Sequence, residues 1–141
     1  RINFKLTRHW QAPIVEFMES TFRDVFTGSS VRRLRQYHGR IGKCLELLDD
    51  DQIWLRGSAN ANAVGNLLLH LSGNVRQWII SGVGGAPDHR VRETEFAATG
   101  GARKDELYAG LTETVDEAIR VIEGLDEAAL LSPRTIQNYT V

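Results

Sequence analysis

The sequence predicts an all-α fold, most simply an antiparallel helical bundle, and three observations lead to it. Apolar residues recur at intervals of three and four through long segments, as they do on the buried face of an amphipathic helix. No segment shows the alternation of apolar and polar residues that is typical of a strand. The chain has 141 residues, 42% of them hydrophobic and 25% charged, which suits a single domain with one core.

Residues 1–30 are predicted to form a poorly patterned N-terminal segment, and residues 31–141 the helical domain. Within the first segment, apolar residues at helical spacing after Pro13 predict a weak helix that ends near Phe26. Residues 27–30 (TGSS) then predict a break, because glycine and serine are typical turn residues.

The next helix is predicted from Val31 and ends at the acidic residues 49–51. Its apolar stripe has one interruption, which is His38, and consists of Val31, Leu34, Ile41, Leu45 and Leu48. Cys44 lies at the margin of this stripe and is interpreted as a small buried apolar residue. As the single cysteine, it excludes a disulfide framework within one chain.

A second strong helix is predicted over residues 62–81, and its polar face contains a single charged residue, Arg76. Beside the apolar face runs a stripe of uncharged or weakly basic groups, namely Asn66, His70, Asn74, Gln77 and Ser81. A solvated face normally contains Glu and Lys. The stripe therefore predicts a half-buried surface, such as a pocket wall or a subunit interface, and Gly73 permits another element to approach it closely.

In the second half of the chain, the sequence predicts the end of the preceding helix, then a charged connection and then a third helix. Glycines and a proline in residues 82–87 end the preceding helix. Residues 88–102 form a long connection with many charges, and such loops are more often functional than idle. Apolar spacing predicts a helix over residues 103–125, followed by one more turn over residues 126–131.

Two histidines leave alternatives open on the residues alone. His70 lies in the middle of the polar stripe. Its role is either that of a half-buried histidine whose hydrogen bonds are satisfied within the protein or that of a metal ligand. His38 interrupts a core stripe. It is either a ligand or base inside the bundle or a histidine whose ring nitrogen forms a hydrogen bond to a backbone carbonyl across the core. No two histidines stand three or four residues apart, so no helical pair of ligands exists.

Charge is distributed unevenly, although the net charge is only −1. Residues 1–43 contain nine Lys and Arg against three Asp and Glu, and the acidic excess lies in the rest of the chain. This asymmetry is interpreted as pairing within one molecule or between two copies. Nucleic-acid binding through residues such as Arg32, Arg33, Arg35 and Arg40 is disfavoured, because no reader motif accompanies them.

Residues 62–87 (NAVGNLLLHLSGNVRQWIISGVGGAP) resemble an uncharacterised bacterial branch of the DinB-like superfamily. The likeness covers about residues 31–141 and includes residues 43–46 (KCLE), residues 52–54 (QIW), Asp88, Arg90, Arg92, Glu95, Phe96 and residues 133–137 (PRTIQ). It implies an antiparallel four-helix bundle, usually dimeric, in which three histidines hold a divalent metal such as nickel or zinc. His70 matches the first ligand, whereas the other two would form a His-x-x-x-His pair on a helix after Val141.

The resemblance therefore implies a bundle without its last helix in this chain, descended from metal-dependent thiol transferases or hydrolases. Asn66, Asn74, Gln77 and His38 would line the pocket or support His70. The rival hypothesis is a non-catalytic helical module that dimerises, because an open bundle exposes an apolar face. We expect this chain to bind a metal weakly and to form a homodimer, either by simple pairing or by domain swapping. The substrate is expected to be a small molecule of unknown identity, and the protein is expected to have no membrane span and a cytoplasmic location.

Overall fold

The computed structural model describes residues 21–58, 60–137 and 139–140, and these residues are mainly helical. The five α-helices within them are α1 (Phe22–Leu45), α2 (Val64–Val75), α3 (Arg92–Ala97), α4 (Lys104–Glu123) and α5 (Glu127–Leu131). A 3₁₀ turn covers Gln52–Trp54, and a π-helical segment, Arg76–Val83, continues α2. The predicted all-α class is confirmed for these residues, while the four-helix antiparallel arrangement stays a prediction.

Helix α1 runs without a break through residues 27–30, so the predicted interruption there is wrong. The helix begins after Thr21, whose hydroxyl accepts from the Asp24 backbone N–H in a capping box. Thr27 and Val31 are buried, and Val31 belongs to the core cluster that includes residues of α4. This packing outweighs the cost of Gly28 inside a helix, about 1 kcal/mol. The predicted helix start at Pro13 lies outside the described residues.

Helix α4 lies at the centre of the core, and both α1 and α2 pack against it. The buried cluster consists of Val31, Leu45, Ile53, Leu68, Leu107, Leu111, Val115, Ile119 and Ile122. An open groove of about 360 Å³ separates the C-terminal half of α1 from α2. Cys44 lines this groove and is exposed, which corrects its interpretation as a buried residue.

The predicted helix over residues 62–81 exists, but its last third is π-helical and not α-helical. It ends at Val83, two residues beyond the predicted end at Ser81, and Gly85 takes a φ of 78° just beyond it. The sequence prediction assumed an α-helical period throughout, and it did not anticipate the rare π-helical form.

A short antiparallel hairpin follows α5, although the sequence shows no strand pattern. Its strands are β1 (Thr135–Ile136) and β2 (Tyr139–Thr140), and each has only two residues. Ile136 is buried against Gly82, where a side chain on the glycine would overlap it. The hairpin therefore packs on the π-helical segment through this contact and through Tyr139, whose ring centroid lies 6.3 Å from that of Trp78.

Some of the basic side chains near the N-terminal end form hydrogen bonds or ion pairs with other parts of the same chain. Arg23 donates to the carbonyl oxygens of Leu125 at 2.8 Å and Glu123 at 2.6 Å, where α4 ends. Arg35 forms an exposed ion pair with Glu123 at 3.7 Å. Among the described residues, none of the helices has the length and apolar character to cross a membrane.

Candidate functional site

A buried carboxylate holds one side of the His70 ring. His70 lies on α2 and Glu95 on α3, and the two atoms His70 Nδ1 and Glu95 Oε2 are 2.9 Å apart. The Glu95 side chain is 9% exposed, whereas the His70 side chain is 27% exposed. The connection predicted over residues 88–102 thus contains a short helix that faces the polar stripe of α2.

Arg90 completes this arrangement by binding the same carboxylate with two bonds. Its Nε donates to Glu95 Oε1 at 2.7 Å, and its Nη2 donates to Glu95 Oε2 at 2.9 Å. Burial alone would raise the pKa of Glu95, but the hydrogen bonds from Arg90 and His70 outweigh it and lower that pKa. The hydrogen bond to Glu95 in turn raises the pKa of Arg90.

These charges determine the tautomer of His70. An ionised Glu95 can only accept, so the proton of a neutral imidazole lies on Nδ1 and is donated to Oε2. Arg90 Nη2 is also 3.0 Å from Nδ1 and has a second N–H, but an unprotonated Nδ1 would place its lone pair against the ionised Glu95 Oε2 at 2.9 Å, which favours the Nδ1–H form. Nε2 then keeps its lone pair, and no hydrogen bond to it occurs among the described residues. Such a nitrogen can accept a proton or coordinate a metal ion.

Gln77 and Asp88 extend the hydrogen bonds outwards from Arg90. Arg90 Nη1 donates to Gln77 Oε1 at 2.9 Å, and Gln77 Nε2 donates to Asp88 Oδ2 at 2.7 Å. This bond and a second one from the Arg90 backbone N–H lower the pKa of Asp88. Gln137, in the turn of the hairpin, donates to the same Gln77 oxygen at 2.5 Å. We call these six side chains the His70 network: His70, Glu95, Arg90, Gln77, Asp88 and Gln137.

Asn66 holds α3 in place but does not touch the His70 ring through a hydrogen bond. It is completely buried, and its Nδ2 donates to the backbone oxygens of Glu95 at 2.9 Å and Ala98 at 2.7 Å. Its Oδ1 accepts from the backbone N–H of Ala63 at the start of α2 and from Arg56. Asn66 therefore fixes the backbone that presents the Glu95 carboxylate.

Gly73 makes room for the carboxylate, as the sequence predicts for a close approach. It lies one turn after His70 on α2, and a Cβ there would overlap Glu95 Oε1 and lie 2.9 Å from Arg90 Nε. Phe96 covers another side of the site, with its ring centroid 4.9 Å from that of His70. The Arg92 guanidinium lies 4.9 Å from the Phe96 centroid, on the outer side of the helix.

The structure brings only part of the predicted site together. Gln77 joins His70 through Arg90, and Asn66 acts through the α3 backbone, whereas Asn74 is half-buried and makes no hydrogen bond within the network. His38 lies elsewhere: its Nε2 is 2.9 Å from Thr112 Oγ1, and its ring stacks on Tyr108 at 4.7 Å. It therefore belongs to the contact of α1 with α4.

Four members of the network were not candidates from the sequence: Glu95, Arg90, Asp88 and Gln137. Three of them lie in an aperiodic charged stretch, where no pattern says which charge turns inwards. Gly73 was the available signal, because a glycine on a polar helix face indicates that something packs there.

The described residues supply one position suited to a metal and no complete ligand set. Among them, no group of three or more His, Cys, Asp or Glu side chains converges on a point. Glu95 is already engaged by Arg90 through both oxygens. His70 Nε2 can therefore act as a single imidazole ligand, and the described residues alone do not form a complete metal site.

Fold and site together define an all-α protein in which a buried carboxylate orients a half-exposed histidine. The family model described as protein of unknown function, DUF1572, matches residues 22–140, and the chain belongs to this family. Neither the curated proteins nor the solved structures gave a match.

Proposed function

We propose that the protein is a DinB-like bundle protein derived from divalent-metal-dependent enzymes, and that His70 is a metal ligand through Nε2. The observation that supports it is the 2.9 Å contact between Glu95 Oε2 and His70 Nδ1. Metal-binding histidines almost always donate their other ring N–H to a carboxylate, a backbone carbonyl or a water molecule, which fixes the tautomer and makes the ligand more basic. Family membership supports the same proposal, because DUF1572 is a DinB-like family.

Nickel or zinc is the metal that we propose, because imidazole nitrogen suits both ions. Further ligands would come from residues outside the described ones or from another copy of the chain. A thiol transferase or hydrolase acting on a small molecule is the activity class proposed, and the chain's own contribution is to hold the Nδ1–H of the neutral ring on Glu95, which places the lone pair on the half-exposed ring's Nε2. Glu95 and Arg90 provide that contribution through the hydrogen bonds described above.

Paramagnetic nickel offers a test that also detects weak binding. When Ni²⁺ is titrated into the 141-residue protein, we expect the ring NMR signals of His70 to broaden first among the four histidines. His70→Ala should abolish the binding seen in equilibrium dialysis without changing the assembly state. His38→Ala is the matched control and should bind as the wild type does, since His38 is bonded to Thr112. Equal binding by His70→Ala and wild type would contradict the proposal.

A non-catalytic dimerising module is the second candidate, and the groove between α1 and α2 supports it. Among the described residues that line the groove there is no Asp or Glu, and apolar atoms dominate it. Tyr37, Leu67 and Leu71 line it with exposed fractions of 51%, 45% and 38%. Burying such a face against a second copy removes apolar surface from water, which favours a homodimer.

Leu67→Glu should disrupt such a dimer, because it places a charge in the apolar groove. We expect wild type to sediment as a dimer in analytical ultracentrifugation and Leu67→Glu as a monomer. Leu47→Glu is the matched control, since Leu47 is 83% exposed and does not line the groove. A wild-type protein that stays monomeric at high micromolar concentration would rule out the module.

A further inference from the structure

We propose that Gln137 is a positioning residue for His70 and acts through Gln77, Arg90 and Glu95. The inference rests on the proposed role of His70 and adds the C-terminal hairpin to its site. Gln137 lies 60 positions after Gln77 in the chain, so the contact depends on the hairpin being folded against the π-helical segment.

The backbone of Gln137 is the first observation. Its φ is 55°, and among the described residues it is the one non-glycine with a positive φ. Glycine or asparagine adopts this conformation more easily, and a glutamine there costs on the order of 1 kcal/mol. Strained residues of this kind are retained where the surroundings fix them, often at functional sites.

The side-chain contact is the second observation and is independent of the first. Gln137 Nε2 donates to Gln77 Oε1, which also accepts from Arg90 Nη1. On the other side of the amide, Gln77 Nε2 donates to Asp88. Two donors at the oxygen and a carboxylate at the nitrogen allow only one orientation of the Gln77 amide, which is 7% exposed.

The fixed orientation of the Gln77 amide affects His70 through the hydrogen bonds of Arg90 and Glu95. A fixed Gln77 oxygen holds Arg90 Nη1, and Arg90 then presents Nε and Nη2 to the two oxygens of Glu95. Glu95 Oε2 keeps the proton of His70 on Nδ1. Without the Gln137 donor, Arg90 Nη1 and Asp88 Oδ2 are the remaining side-chain partners of the Gln77 amide, so both Gln77 and Arg90 are held less firmly. The preference for a single tautomer of His70 then weakens.

The tautomer of His70 can be read directly from the imidazole ¹⁵N NMR signals of the metal-free 141-residue protein at pH 8, where an ordinary imidazole is neutral. Gln137→Glu keeps the side-chain length and removes the donor. Gln137→Gly removes the side chain and relieves the positive φ. We expect a single Nδ1–H tautomer in wild type and a detectable Nε2–H form in both variants. Gln52→Glu makes the same chemical change outside the network and should leave the signals unchanged.

The two variants separate positioning from a merely structural role. If Gln137 only closes the turn, Gln137→Gly is at least as stable as wild type and its His70 tautomer is unchanged, which overturns the inference. Should Gln137→Glu fail to fold, Gln137→Gly still decides the question. Nickel binding that depends on His70, together with unchanged tautomers in both variants, would overturn this inference and leave the proposed function standing. An Nε2–H form in wild type would overturn both.

Discussion

Gly73→Ala should destabilise the protein by about 2 kcal/mol, within the usual range for an overpacked interior. The added Cβ would overlap the Glu95 carboxylate, and that carboxylate cannot move freely because Arg90 binds both of its oxygens. Either α3 shifts away from α2 or the ion pair separates. Urea unfolding followed by circular dichroism gives the free energy of unfolding, and the His70 ¹⁵N signals report whether the tautomer changes as well.

Gly39→Ala is the matched control for this substitution. Gly39 also lies inside a helix, α1, but no atom of the described residues comes within 4 Å of the position of its Cβ. Alanine favours a helix over glycine by up to about 1 kcal/mol, so Gly39→Ala should stabilise the protein. If both alanine variants gained stability equally, α3 would not approach α2 as described.

The helices of the core could be predicted because their period is a property of the sequence itself. The stripes of Val31 and Leu45 on α1 and of Leu107 and Ile122 on α4 are buried as the spacing predicts. The break at Gly28 was predicted wrongly, because a local preference worth about 1 kcal/mol loses to tertiary packing. The hairpin was missed because two-residue strands are too short to show a period.

Part of the site could also be predicted, because the spacing of polar residues along a helix is visible in the sequence. Asn66 and Gln77 stand out from sequence because uncharged polar groups on a helix face indicate partial burial, and both are buried. Their partners could not be identified, since Glu95 and Arg90 resemble any exposed charged residues until α3 folds onto α2. His38 is a candidate that the structure does not bring into the site. Its unusual position in a core stripe made it stand out in the sequence, but its Nε2 contacts Thr112 between α1 and α4.

Arg90→Met is expected to have the largest effect, a loss of about 3–5 kcal/mol in the free energy of unfolding at pH 7. The lowered pKa of Glu95 keeps its carboxylate ionised at that pH. Removing Arg90, whose side chain is 6% exposed, also removes the main cause of that lowered pKa; the buried Glu95 carboxyl then either stays charged with His70 as its remaining side-chain partner or takes up a proton, and both outcomes cost stability. The double variant Arg90→Met with Glu95→Gln should recover part of the loss, since it removes the uncompensated charge.

Arg76→Met provides the comparison that isolates burial as the cause. Arg76 pairs with Glu117 at 2.8 Å, nearly the 2.7 Å of Arg90 with Glu95, but the two side chains are 49% and 37% exposed. Exposed pairs contribute at most about 1 kcal/mol, so Arg76→Met should change stability little. Equal losses in the two methionine variants would contradict a buried ion pair behind His70. A large loss confined to Arg90→Met, relieved by Glu95→Gln, would mean that the fold depends on the same charges that orient the His70 ring.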